Sequence, residues 1–174
     1  WITGSYDPEL DLTYWGTGNP APWASQSRKG DNLYTSSVIA MRPKTGEIVW
    51  HYQFTPNDPY DFDANWELIN ADINVGGQPR KVIMQLNRNG FMYVIDRTNG
   101  KFIRSEKYVN DLNWTKGIDQ NTGKPFEYNP KLDVQAKASL QSAQQRQQYA
   151  QQQLQQIAEQ LASFEHDRAA AESR

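Results

Sequence analysis

"WELINADINVGGQPRKVIMQLNRNGFMYVIDRTNGKFIRSEKYV", residues 66–109, holds four runs rich in β-branched and aromatic residues, parted by glycine-bearing turns. "WELINADINV" (66–75) and "RKVIMQL" (80–86) flank "GGQP", while "FMYVIDR" (91–97) and "KFIRSEKYV" (101–109) flank "TNG". Short runs of this kind predict antiparallel hairpins in an all-β fold. Upstream, "SSVIAM" (36–41) and "EIVWHYQ" (47–53) flank "RPKTG" in the same manner. The turns recur as well. "AMRPKTGEIVW" aligns with "VIDRTNGKFI" when Gly46 is set over Gly100, and "GIDQNTGKPF" repeats the turn without clear strands. A period of about 50 residues is that of a four-stranded propeller blade. The glycine-rich part then holds two to three blades. A closed propeller needs at least about four, so the expectation is an arc.

Composition changes near residue 134. All eleven Gly, nine Pro and six Trp precede it, and twelve Gln fall in the forty residues that follow. The expected domains are therefore 1–134, a partial propeller, and 135–174, a Gln-rich helical tail. In the tail, Leu140, Ala143, Gln147, Ala150, Leu154, Ile157, Leu161 and Phe164 step by three and four, a heptad seam. The seam is weak in its first half. It predicts a helix over about 135–170 that pairs with a second copy along 140–164 or docks elsewhere, and the glutamine content leaves disorder open. His166 has no second ligand at helical spacing and reads as a surface residue.

The net charge of −2 gives no global field for nucleic acid or an acidic membrane. No apolar run is long enough for a membrane span. The absence of cysteine excludes disulfides, thiolate metal sites and a covalent c-type haem in this chain. The first residue is Trp1, without a signal pattern, and the N-terminus reads as a cut.

The densest chemistry lies in "NDPYDFDANWE" (57–67), with Asp58, Asp61, Asp63 and Glu67. It is not an EF-hand. Asp61, Asp63 and Asn65 fit the loop opening, but Trp66 stands where Gly is needed and Asp72 where Glu is needed. If the segment is extended, Asp61 and Asp63 share a face and offer two hard oxygen donors to Ca²⁺ or a similar ion. A solvated acidic loop is the other reading of these residues. Trp15, Trp23, Trp50, Trp66 and Trp114 are expected in the core or between blades, and His51 in a structural role. "GTGNPAPW" (16–23) lacks the glycine spacing of a phosphate loop. "NWT" (113–115) is a formal glycosylation sequon.

Three longer stretches together resemble the pyrroloquinoline-quinone (PQQ) dependent methanol and ethanol dehydrogenases. They are "GSYDPELDLTYWGTGNPAPW" (4–23), "GDNLYTSSVIAMRPKTGEIVWHYQFTPNDPYDFD" (30–63) and "RKVIMQLNRNGFMYVIDRTNGKFI" (80–103). The resemblance implies a mainly β fold: two to three W-shaped blades of an eight-bladed quinoprotein propeller, followed here by a long C-terminal helix. It implies PQQ and a Ca²⁺ or lanthanide ion as cofactors. Asn19 is then a metal ligand, Asp61 the catalytic base beside the metal, and Asp63 a further ligand typical of lanthanide-using members. Arg88 reaches the quinone oxygens, and Trp1 stacks under the PQQ ring. The implied reaction oxidises a small primary alcohol to an aldehyde by hydride transfer to the quinone. The parent enzyme would pass electrons to a cytochrome c-type acceptor in the periplasm. "DANWE" departs from a commoner "DGVNE", which suggests an ethanol-type or divergent member. The family's glutamate ligand and adjacent-cysteine ring have no counterpart in this chain. The competing function is a non-catalytic assembly module made of a propeller arc and a coiled coil.

Overall fold

The computed structural model describes residues 2–172, without the side chains of 131–138 and 164–172. The chain divides after Lys131 into two compact units.

The first unit is built from two four-stranded antiparallel sheets and a short hairpin. Strands β1 (Ser5–Asp7), β2 (Leu12–Gly16), β3 (Ser37–Met41) and β4 (Ile48–Gln53) pair in chain order. Strands β5 (Ile69–Val75), β6 (Gln78–Leu86), β7 (Phe91–Asp96) and β8 (Phe102–Lys107) repeat that order. β9 (Gly117–Ile118) and β10 (Pro125–Phe126) form the hairpin. This is the mainly β, blade-repeating architecture expected from residues 66–109. β1 and β2 were not among the expected strands.

The repeated turn has one physical form in all three places. The amide of Gly46 donates to the Arg42 carbonyl at 2.8 Å, that of Gly100 to Asp96 at 2.8 Å, and that of Gly123 to Asp119 at 2.7 Å. Each glycine sits in the left-handed region, with φ of 73°, 74° and 70°, where a side chain is costly. In both full sheets the register shifts just before this turn, at Ala40/Met41 and Val94/Ile95. Two of these turns also seat an aromatic ring. A Cβ on Gly100 would lie 2.7 Å from the Trp50 ring, and one on Gly123 would lie 2.6 Å from that of Phe102.

The core is aromatic. Tyr14, Trp50, Phe54, Phe91, Tyr93 and Trp114 are buried together with Val38, Ile83 and Ile95. Rings pack edge to face at Phe54–Tyr93 (4.8 Å) and Trp114–Tyr128 (5.1 Å). The Arg97 carbonyl receives both the Tyr14 hydroxyl and the Trp50 indole N–H, each at 3.1 Å. Its guanidinium donates to Asp7 Oδ2 at 2.6 Å and to the Ala71 carbonyl at 2.6 Å. Arg97 therefore joins the first sheet to the second by charge and by backbone. Of the two places expected for the tryptophans, the core and the space between blades, the core is excluded for Trp15 and Trp23, which are 42% and 61% exposed. Trp15 follows buried Tyr14 on β2, so strand alternation turns it outward. His51 follows buried Trp50 and is exposed for the same reason, packed edge-on against Tyr34 at 4.7 Å.

Helix α1 spans Pro130–Glu172. It begins earlier than the change in composition suggests, because proline is well suited to a first helical position, where no amide donor is needed. Leu140, Leu154, Ile157 and Leu161 are at least half exposed, so the apolar seam lies uncovered at these described positions. No described helix is long and apolar enough to cross a membrane.

Candidate active site

Two loops and one turn meet at the acidic segment. The first loop follows β2 and carries Asn19. The second follows β4 and carries Asp58, Asp61 and Asp63. The turn between β6 and β7 carries Asn87, Arg88 and Asn89.

Close backbone approach brings the two loops together. Gly16 has no side chain where Ala64 crosses it, and a Cβ there would lie 1.9 Å from the Ala64 carbonyl oxygen. The Ala64 amide donates to the Thr17 carbonyl at 2.9 Å. The Asn19 amide donates to Asp63 Oδ1 at 2.7 Å. Gly16 of "GTGN" thus serves loop packing.

The β6–β7 turn supports the acidic loop from below. Alternation along "QLNRN" buries Gln85, Asn87 and Asn89 and exposes Leu86 and Arg88. Gln85 donates to the Ala64 carbonyl at 2.7 Å, and Asn87 to the Asp63 carbonyl at 3.1 Å. Asn89 binds Thr55 Oγ1 and the Tyr93 hydroxyl at 3.1 and 2.9 Å. Arg88, on the other phase, donates from Nη1 to the Asp61 carbonyl at 3.1 Å.

The structure therefore joins Asn19 to Asp63 and Arg88 to Asp61. The geometry of the acidic segment corrects one expectation. Asp61 and Asp63 are not neighbours on an extended strand; both sit in left-handed backbone, with φ of 62° and 59°. Asp58 causes this by folding the loop back on itself: its carboxylate accepts the amides of Tyr60 and Phe62 at 2.8 Å each and that of Asp63 at 3.2 Å. The two aspartates still feel each other. Burial pushes the Asp63 carboxyl above the ordinary carboxylate range; the Asn19 amide opposes this, repulsion from Asp61 and Asp58 adds to it, and Arg88 opposes it. Trp1 lies outside the described residues.

These residues fit part of a hard-cation site. Asn19, Asp61 and Asp63 offer oxygen donors, and a cation would relieve the repulsion at Asp63. They do not make a whole site. Ca²⁺ takes about six to eight oxygens, and among the described residues no group of three or more His, Cys, Asp or Glu could hold a metal ion. Asp58 is occupied inward and is not a donor to such a site. Asp58 was named in the acidic segment without a role of its own, and Gly16 and the buried Gln85–Asn87–Asn89 row were absent from the sequence-based candidates. The alternation of polar residues at the end of a strand was the signal for the last of these.

The family model for PQQ, "Glucose/ethanol/alcohol dehydrogenase, beta-propeller domain", matches residues 1–167. The chain belongs to this family. Among curated quinoproteins, the quinohemoprotein alcohol dehydrogenase ADH IIB of Pseudomonas putida is 52% identical over 130 residues, 73% of this chain and 19% of that protein. A 1-butanol dehydrogenase (cytochrome c) of Thauera butanivorans is 53% identical over 111 residues, 62% of this chain and 16% of that protein. Among solved structures, a europium-containing methanol dehydrogenase superposes with a TM-score of 0.69 at 42% identity, covering 72% of this chain and 22% of that one. The quinoprotein chain described here thus spans about a fifth of the length of the curated relatives it matches. The fold is part of a quinoprotein β-propeller followed by a helix.

Proposed function

We propose that residues 1–134 form part of the catalytic face of a PQQ- and metal-dependent alcohol dehydrogenase that oxidises a primary alcohol to an aldehyde, with 135–174 as a separate tail. The observation that carries this reading is the meeting of Asn19 with Asp63 and of Arg88 with Asp61, through loops that glycine and buried amides hold together. PQQ and its ion supply a two-electron acceptor and a Lewis acid when bound. The chain's own residues bind, orient and move a proton. Asp61 takes the alcohol's hydroxyl proton onto its carboxylate as general base. Asn19, Asp61 and Asp63 hold the ion. Arg88 uses one N–H on the Asp61 carbonyl and keeps further donors for the quinone oxygens. Trp1 is proposed to stack under the quinone ring. The name of the Thauera butanivorans relative supports a cytochrome c acceptor for the complete enzyme, and a periplasmic location follows from the same family reading.

Asp63 is the residue assigned to metal choice, since a trivalent ion gains more from an added carboxylate than Ca²⁺ does. The europium-containing relative supports this. In a complete quinoprotein carrying this segment, Asp63→Ala is expected to reduce lanthanide-supported turnover more than calcium-supported turnover. Equal losses would make Asp63 a structural acid.

The 174-residue chain by itself is expected to be inactive, because three donors cannot complete the ion's coordination. Dye-linked alcohol oxidation by the purified chain with PQQ and metal would overturn that. A second reading, a non-catalytic assembly module, is favoured by the uncovered seam of α1, where Leu154 is 67% exposed.

A further inference from the structure

Asp58 and Arg28 are both buried, charged and outside the proposed ligand set. Asp58 is 2% exposed and Arg28 6%. Burying a charge is costly unless it is bonded, so the bonds that these two groups make, with Arg28 Nε left without a partner, indicate what they are for.

Asp58 spends both carboxylate oxygens on its own loop and one neighbour. Oδ1 accepts the Tyr60 amide at 2.8 Å. Oδ2 accepts the Phe62 amide at 2.8 Å, the Asp63 amide at 3.2 Å and the Ser36 hydroxyl at 3.0 Å. Three amides gathered on one carboxylate wrap the chain around it. They hold Asp61 and Asp63 in a backbone region that residues other than glycine rarely adopt.

Arg28 acts between loops. Nη1 donates to the Pro20 carbonyl at 3.1 Å, next to Asn19. Nη2 donates to the Asp58 carbonyl at 3.0 Å and the Asn57 carbonyl at 3.4 Å. The planar fork of a guanidinium can reach both loops at once, which the point charge of a lysine cannot. A closed circuit results. It runs from Asn19 through Pro20 to Arg28, on to Asp58, along the wrapped loop to Asp63, and back to the Asn19 amide.

We propose that Asp58 and Arg28 are positioning residues: they lock the Asn19 loop and the Asp61–Asp63 loop in one geometry, and so set the affinity of those loops for a hard cation. The cation-binding half of this proposal rests on the reading above, whereas the locking half does not.

The test uses the full 174-residue chain with Asp58→Asn, Arg28→Lys and the milder Ser36→Ala. Hydrogen exchange is read at the Asn19 amide, which touches neither Asp58 nor Arg28 directly, and at Val82 and Tyr93 in the second sheet. Eu³⁺ alone is titrated by its luminescence. In Asp58→Asn and Arg28→Lys, the Asn19 amide is expected to exchange at least about tenfold faster while Val82 and Tyr93 keep their protection. Eu³⁺ affinity is expected to fall about 10–100-fold, the range for residues that orient ligands. Ser36→Ala is expected to shift both readouts in the same sense by less. Unchanged Asn19 exchange, or equal loss of protection throughout the sheet in all three variants, would overturn the proposal. If the unaltered chain does not bind Eu³⁺, the cation half of this proposal is overturned, and the exchange data alone decide whether the two residues lock the loops.

Discussion

Gly16 illustrates how much of the site depends on single atoms. The Ala64 carbonyl occupies the space a methyl group would need, and that crossing sets where Asp63 meets Asn19. Gly16→Ala is expected to destabilise the chain by about 1–3 kcal/mol, the usual cost of forcing a group into filled space, seen as a lower melting temperature. An unchanged melting temperature would mean that the loop yields easily and does not fix Asp63. Asp61 and Asp63 were legible in the sequence as a pair, but their geometry was not. The side-chain alternation of a strand assumes extended backbone, and Asp58 cancels that assumption by drawing the following amides onto its carboxylate. Nothing local in "NDPYDFD" marks Asp58 as the inward acid. That follows only from Ser36 and Arg28, which reach it from distant parts of the chain.

At the scale of elements, the strands that were legible are those with long branched or aromatic runs. β6 and β7 pair over five registered positions from Val82↔Asp96 to Leu86↔Met92, and their sequences alone specify strands. β1 holds three residues and gives way at once to a turn at residues 8–11, and is strand only because β2 is beside it. The helix is the reverse case. Its uninterrupted 3–4 stepping announces it, yet the seam finds no cover: Leu154, Ile157 and Leu161 are half to two-thirds exposed. A helix in water takes most of its stability from burying such a face. Leu154→Asp with Leu161→Asp is expected to reduce helicity by circular dichroism and to abolish any concentration-dependent association of the chain. If helicity and sedimentation are the same in the altered and unaltered chains, the seam has no partner and the tail is a solvated appendage.

Across the first unit, one buried ion pair joins the sheets. Arg97 and Asp7 meet at 2.6 Å with side chains 8% and 3% exposed. Burial alone would raise the Asp7 carboxyl. The Arg97 guanidinium and the Leu10 and Glu9 amides outweigh it, and they hold the carboxyl below the ordinary carboxylate value of about 3.9. A carboxylate with a depressed folded pKa contributes stability that is complete above its unfolded value and disappears as pH falls through the folded one. The unit is therefore expected to lose stability below about pH 4. Asp7→Asn should flatten that acid limb while lowering stability at neutral pH by about 1.5–3 kcal/mol, the usual worth of a hydrogen bond to a charged group, because Arg97 then keeps only the more exposed Asp72, at 2.5 Å, as its counter-charge. Denaturant melts of the two proteins at pH 3 and pH 7 check both. An unchanged acid limb would show that Asp7 does not carry it.

The central claim, that these loops are the catalytic face of a quinoprotein, is tested most directly by transplantation. Residues 4–130 would replace the matching stretch of the Pseudomonas putida quinohemoprotein, and dye-linked oxidation of a primary alcohol would be measured with Asp61 and with Asp61→Asn. The expected result is turnover by the chimera, with a loss of about 10²–10⁴-fold on substitution and PQQ still bound. A folded, PQQ-loaded chimera without turnover, or an Asp61→Asn chimera with near-parental turnover, would contradict it.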